Sequence, residues 1–183
     1  DDTGSRGLGD VYKRQIKIIA NGAVGFGNID IKAAKEKGIT VTNTPDVLTD
    51  ATADIQILLL LGASRKAYEG RLAAETQNWK WSWDFLLGKQ MSNKKLGILG
   101  MGRIGRAVAK RAKAFNMEIH YHNRSKLSPE LEDGAIYHKD LKSLFKQSEF
   151  LSINCPATPE TTKLVNKETV SYTHLTLPTK DGV

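Results

Sequence analysis

Apolar positions follow two rhythms along this chain, and their alternation sets out the expected elements. Short apolar runs of strand length occur at Ile16–Ala20 (IKIIA), Thr40–Thr42, KLGILG ending at Gly100, Glu118–His122 (EIHYH), Ala135–His138 (AIYH) and Phe150–Cys155 (FLSINC). Between them lie segments with a helical period. Ile29–Lys37 is closed by Gly38, where a left-handed residue is wanted. A long helix is expected from about Ala51 through ADIQILLLLGASRKAYEGRLAAE, apolar enough at its start to be buried on most sides. Arg103–Phe115 places Ile104, Val108, Ala112 and Phe115 on one face, and Asp140 can cap LKSLFKQ. Strands alternating with helices imply a parallel sheet covered on both faces.

The gaps in the pattern are informative too. Residues 1–15 (DDTGSRGLGDVYKRQ) show neither period and read as a disordered or non-native leader. Asn43–Asp50 is a loop around Pro45. NWKWSWDFLLGKQ, Asn78–Gln90, reads as a loop or arm, with Trp79, Trp81 and Trp83 at spacing two. Such spacing suits a strand face or an interface. Packing is the simpler reading and is preferred to a ligand role.

Composition narrows the function classes. The apolar and charged fractions, 40% and 26%, are those of a soluble globular protein. The longest apolar run, Ile55–Ala63, is too short to span a bilayer, and no leader pattern opens the chain. Cys155 is the single cysteine, so no internal disulfide is expected and a reducing, cytoplasmic setting fits. The four histidines, His120, His122, His138 and His174, show no repeated ligand spacing, and no metal site is expected. The net charge of +7 could serve a polyanion. The basic residues are interleaved with acids, as in KAAKEKG, which favours a solvated surface over a nucleic-acid face.

Candidate chemistry centres on Gly100-Met101-Gly102-Arg103-Ile104-Gly105, which follows an apolar strand and opens an amphipathic helix. GxGxxG by itself is weak evidence, and a glycine turn without a ligand would share it. In this context each glycine has a physical task. Gly100 permits the tight turn, Gly102 keeps the backbone open to a pyrophosphate, and Gly105 lets the helix lie close on the sheet. The helix N-terminus supplies unpaired N–H groups for phosphate oxygens. In NAD sites an acid about twenty residues further on bonds the ribose 2′-hydroxyl. Here the next strand ends in Asn123-Arg124-Ser125, with no carboxylate nearby. Arg124 can pair with a 2′-phosphate, and Asn123 and Ser125 can donate to it, so NADP(H) is expected to be preferred, with NAD(H) still usable. The plainer reading of Arg124 is an exposed loop arginine.

Four stretches together resemble the D-isomer-specific 2-hydroxyacid dehydrogenases, most closely their glyoxylate/hydroxypyruvate reductase branch. They are NGAVGFGNIDIKAAKEKGITVTNTPDVLTDATAD, LGILGMGRIGRAVAKRA, YHNRS and SINCPATPETTKLVN, and with their spacing they cover roughly residues 16–170. The resemblance implies an α/β protein: a Rossmann-type doubly wound parallel sheet, incomplete at its last strands, plus part of a second, flavodoxin-like α/β substrate domain. Residues 16–77 would be part of the substrate domain and the connecting helix, 78–91 a tryptophan-rich arm, and 92–170 part of the NAD(P)-binding domain. The implied chemistry is hydride transfer from the nicotinamide to the carbonyl carbon of a small 2-keto acid. Carried over by motif, Val24 and Gly25 would bind the substrate carboxylate through backbone N–H groups. Thr52 would lie near the nicotinamide end, and Met101–Ile104 would face the pyrophosphate. Cys155 and Pro156 would border the nicotinamide and its ribose. Cys155 is otherwise an ordinary buried thiol. The arm resembles the family's dimer contact, which implies a homodimer.

The resemblance also implies what is not here. The family's arginine, glutamate and histidine, which hold the carboxylate, tune the imidazole and donate the proton, belong downstream of KLVNKE. No catalytic residue is therefore assigned, and His174 has no family motif around it. Residues 171–183 read as a non-native tail resembling translated adapter sequence, as does GLGDVYKRQ, against the alternative of a divergent tail. On this reading the chain supplies strands 3, 2, 1 and 4 of the order 3-2-1-4-5-6. FLSINC becomes an apolar edge, and the chain is expected to be poorly soluble and inactive. Three other readings stand beside the reductase: an NAD-dependent relative acting on phosphoglycerate, lactate or another 2-hydroxy acid; a dinucleotide-sensing or corepressor-like module; and a nucleic-acid binder resting on charge alone.

Overall fold

The structure, a computed structural model, describes residues 16–77 and 79–171. The expectations for the leader and for residues 172–183, His174 among them, lie outside the described residues. The backbone divides into two units, with the boundary between Leu48 and Thr49.

In the first unit, β1 (Ile18–Ala20) and β2 (Thr40–Thr42) pair in parallel, joined through α1 (Ile31–Glu36). Asp30 caps α1 by accepting the Ala33 N–H at 2.9 Å. At the other end Gly38, at φ +67°, donates to Lys35 O and Ile39 donates to Ala34 O, closing the helix as its sequence predicted.

The second unit contains α2 (Thr49–Ser64), α3 (Ala67–Thr76), β3 (Lys95–Leu99), α4 (Arg103–Lys113), β4 (Glu118–His122), α5 (Pro129–Glu132), β5 (Ile136–Tyr137), α6 (Leu141–Gln147), β6 (Phe150–Ile153) and α7 (Lys167–Ser171). Its four strands are all parallel, in the order β5-β4-β3-β6. That order matches strands 3-2-1-4 of a doubly wound sheet. Among the described residues β6 has one strand neighbour, β3, so it is the expected edge. Leu96, Ile98, Val108, Ala112, Ile119 and Tyr121 form the centre of the core. They bury α4 against one face of β3 and β4, with α2 packed on α4. On the other face Gly97 meets Ser148 at the end of α6, where Leu144 and Phe145 are fully buried. Asp140 caps α6 by accepting the Ser143 N–H at 2.8 Å.

Three expectations change. The long helix is two helices, because Lys66 turns left-handed at φ 52° and the Ser64 carbonyl accepts from Lys89 N–H at 2.7 Å. Its apolar start is not buried on most sides: Ile57, Leu60 and Leu61 meet the core, while Ile55, Leu58 and Leu59 are more than half exposed. The tryptophans do not pack into the core either. Trp83 is 90% exposed, Trp79 stacks on Phe85 at 5.3 Å, and Trp81 meets Trp83 edge-on. Residues 49–77 join the sheet unit because Arg111 of α4 pairs with Asp50 and Asp54 of α2, at 3.0 and 2.6 Å.

Candidate functional site

The C-terminal ends of β3, β4 and β6 converge on a cleft of about 530 Å³. Gly100, Gly102, Asn123, Arg124, Ser125, Cys155 and Pro156 all line it, so seven of the expected cofactor residues come together from three strand ends. The glycines of the fingerprint differ in their surroundings. Gly100 sits at φ +92°, and a Cβ there would stand 2.7 Å from Cys155 N. A Cβ on Gly105 would stand 2.4 Å from Gly100 O, so the start of α4 lies directly against the turn. A Cβ on Gly102 would meet nothing within 4 Å. That open space adjoins a helix start whose N-cap, Gly102, has no side chain to close the first amides. The arrangement fits a pyrophosphate at the N-terminus of an eleven-residue helix.

Other expected residues stand elsewhere. Met101 is 2% exposed, with its side chain in the core, and its N–H donates to Asn123 Oδ1 at 2.6 Å. Ile104 packs against the core and Gly105 is buried beneath the turn. Met101, Arg103, Ile104 and Gly105 do not line the cleft, and neither does Thr52, half-buried on α2. In the first unit, the loop at Val24 and Gly25 is exposed, and two asparagines hold its carbonyls. Asn43 donates to Val24 O at 2.9 Å and Asn21 to Gly25 O at 2.7 Å. The Val24 and Gly25 N–H groups have no hydrogen-bond partner among the described residues. Such a loop presents adjacent donors to an anion.

Several participants carry no sequence signal of their own. Gln56 of α2 donates to Asn154 Oδ1 at 2.6 Å and accepts from Ser152 Oγ at 2.6 Å; Asn154 completes the ring by donating to Ser152 Oγ at 2.9 Å. Asn154 lines the cleft beside Cys155. The one hint was Gln56, polar between apolar neighbours in the run IQILLLL. Tyr121, fully buried, accepts the Leu127 N–H at 3.0 Å and donates to the Glu132 carboxylate. Burial, with the Glu132 carboxylate adding to it, pushes its phenol up to about 12. Glu160, the one carboxylate lining the cleft among the described residues, is held below the usual range, chiefly by Thr158 and in smaller part by Arg124. Beneath α6, His120 Nδ1 lies 2.8 Å from His138 Nε2, and His138 Nδ1 lies 2.7 Å from Ser143 Oγ. His122 lines the cleft and donates from Nδ1 to His138 O at 2.8 Å. No group of three or more His, Cys, Asp or Glu among the described residues could hold a metal ion. No helix among them is long and apolar enough to cross a membrane.

Residues 57–174 match the family model of the D-isomer specific 2-hydroxyacid dehydrogenase NAD-binding domain. The chain belongs to this family. Its cofactor is accordingly a nicotinamide dinucleotide. The glyoxylate reductase of Pyrococcus horikoshii is 43% identical over 159 residues, covering 84% of this chain and 48% of the relative. The glycerate dehydrogenase of Hyphomicrobium methylovorum is 44% identical over 164 residues, covering 88% and 51%. A solved glyoxylate reductase from Paecilomyes thermophila superposes with a TM-score of 0.79 at 42% identity, covering 87% and 48%. The chain thus spans about half the length of these relatives.

Proposed function

We propose that this chain is the cofactor-binding portion, with part of the substrate-binding portion, of an NADP-preferring reductase of small 2-keto acids such as glyoxylate or hydroxypyruvate. The observation that carries the cofactor choice is the loop after β4. Arg124 and Ser125 stand there at the rim of the cleft without a carboxylate on that strand end, where a 2′-hydroxyl reader would need one. An exposed guanidinium with five donors suits a phosphate dianion, which also outcompetes the single charge of Glu160 for it. The names of the relatives support the substrate class.

Each residue then has a task. The Gly100–Gly105 turn and the first amides of α4 hold the pyrophosphate, and Arg124 and Ser125 hold the 2′-phosphate. Cys155 and Pro156 border the nicotinamide and its ribose, with Thr52 at the same end. The unpaired N–H groups of Val24 and Gly25 hold the substrate carboxylate. A bound reduced nicotinamide supplies the hydride for the carbonyl carbon. The exposed tryptophan arm supports a homodimer, and the lone cysteine a cytoplasmic setting. A second reading, an NAD-using relative acting on another 2-hydroxy acid, is favoured by the glycerate dehydrogenase likeness.

Calorimetric titration of the chain with NADPH and NADH decides between them. NADPH is expected to bind about tenfold or more tightly, from one or two charge-assisted hydrogen bonds. Arg124→Ala should bring the two affinities together. Equal affinities in the parent chain, or a preference that survives the substitution, would overturn the assignment.

A further inference from the structure

The four residues between Asn123 and Ser128 lie in neither strand nor helix, yet they carry the side chains assigned to cofactor choice. Arg124 and Ser125 make no hydrogen bond among the described residues. Their position depends on what holds the loop on either side of them. At its start, Asn123 Oδ1 accepts the Met101 N–H at 2.6 Å, and Asn123 O accepts the Tyr137 hydroxyl at 3.4 Å. At its far side the Tyr121 hydroxyl accepts the Leu127 N–H at 3.0 Å and donates to Glu132 at the end of α5, whose carboxylate also lies 3.6 Å from Lys126 Nζ, while the Leu127 side chain packs against the core.

We infer that Tyr121 is the positioning residue for the 2′-phosphate site, its hydroxyl setting where Arg124 and Ser125 stand by joining Leu127 to Glu132. This deepens the proposal above and rests on its reading of Arg124. Tyr121 suits the task because its ring is fixed on both sides. It lies in the sheet in register with Ile98 and Tyr137, and it is fully buried. The hydroxyl is therefore delivered from a sheet strand to a loop outside it. Core packing uses the ring alone, so phenylalanine would fill the same space. What phenylalanine removes is one acceptor and one donor, leaving the Leu127 N–H and the Glu132 carboxylate without this partner. A loop released at one end must be ordered by its ligand, and that cost falls on ligands that engage Arg124. A nucleotide lacking the 2′-phosphate does not engage it and should be spared.

The test compares binding of 2′,5′-ADP and 5′-AMP to the chain by calorimetry, with thermal melts alongside. Tyr121→Phe should weaken 2′,5′-ADP about fivefold, the effect of one net hydrogen bond, and change 5′-AMP less than twofold. Glu132→Gln, which keeps an acceptor for the hydroxyl, should retain the preference, and Glu132→Ala should lose it. If Tyr121→Phe fails to fold, the Glu132 pair decides alone. Equal weakening of both nucleotides means a merely structural residue and overturns the inference, as does an unchanged preference in Tyr121→Phe or Glu132→Ala. Either result leaves the Arg124 assignment standing if the parent chain prefers 2′,5′-ADP. A parent chain without that preference overturns the Arg124 assignment, and this inference with it.

Discussion

Two glycines three residues apart should respond in opposite ways to the same added methyl group. Alanine at Gly105 puts its Cβ 2.4 Å from the Gly100 carbonyl oxygen and 3.1 Å from Ile98 Cγ2. The first of these is backbone at the tight turn, and the second belongs to a fully buried core residue. Neither can move freely, so α4 must lift off the sheet. Overpacking of this kind costs about 1–3 kcal/mol, against which alanine's better helix propensity offsets at most about 1 kcal/mol. A net loss of about 1–2 kcal/mol should lower the melting temperature by roughly 2–8 °C in a chain of this size. Alanine at Gly102 meets nothing within 4 Å, and its φ of −79° is open to any residue. The weaker N-cap and the stiffer unfolded chain nearly cancel, so its stability should stay within about 0.5 kcal/mol of the parent. The methyl group instead occupies the space assigned to the pyrophosphate, and NADPH affinity should fall about tenfold or more. Circular-dichroism melts and NADPH titration of both variants read the two effects separately. A Gly105→Ala chain that melts with the parent refutes the close-packing argument. A Gly102→Ala chain that binds with parent affinity removes the pyrophosphate from that position.

Two further predictions concern stability. Gln56→Leu leaves Asn154 and Ser152 without their partner on α2 and should cost about 1–3 kcal/mol, read as a lower denaturant midpoint; a midpoint at or above the parent's would show that the ring contributes nothing. His138 is held below its ordinary pKa first by burial and then by His120, with His122 and Lys95 acting the same way and Asp140 opposing them. The unfolded chain therefore takes up this proton first. Stability is full above the unfolded value near 6.5 and is lost as pH falls through it toward the folded pKa. Melts at pH 8 and pH 5.5 should show that fall, and His138→Gln should reduce it; an unchanged pH slope in the variant would place the effect elsewhere.

Much of the local structure was legible in sequence, and for local reasons. Gly38 and Asp140 fulfil their capping roles because a cap depends on partners three or four residues away. β4 falls where EIHYH put it because a strand between a turn and a loop has few other places to start or stop. The fingerprint was legible because its glycines act on one another across five residues. Gly102 faces open space and Gly105 a carbonyl, a difference in keeping with the separate tasks the fingerprint gave them.

What tertiary structure alone decided was where distant groups meet. The helix break at Lys66 depends on Lys89 N–H taking the Ser64 carbonyl. The burial of one face of α2, and the exposure of Ile55, Leu58 and Leu59, depends on which side α4 covers. Gln56 and Asn154 are 98 positions apart, and Met101 and Asn123 are 22 apart. Hydrogen bonds form over about 3 Å, whatever the separation along the chain. Sequence periodicity reports which face of an element is apolar, and only the packed sheet determines which polar groups that face brings together.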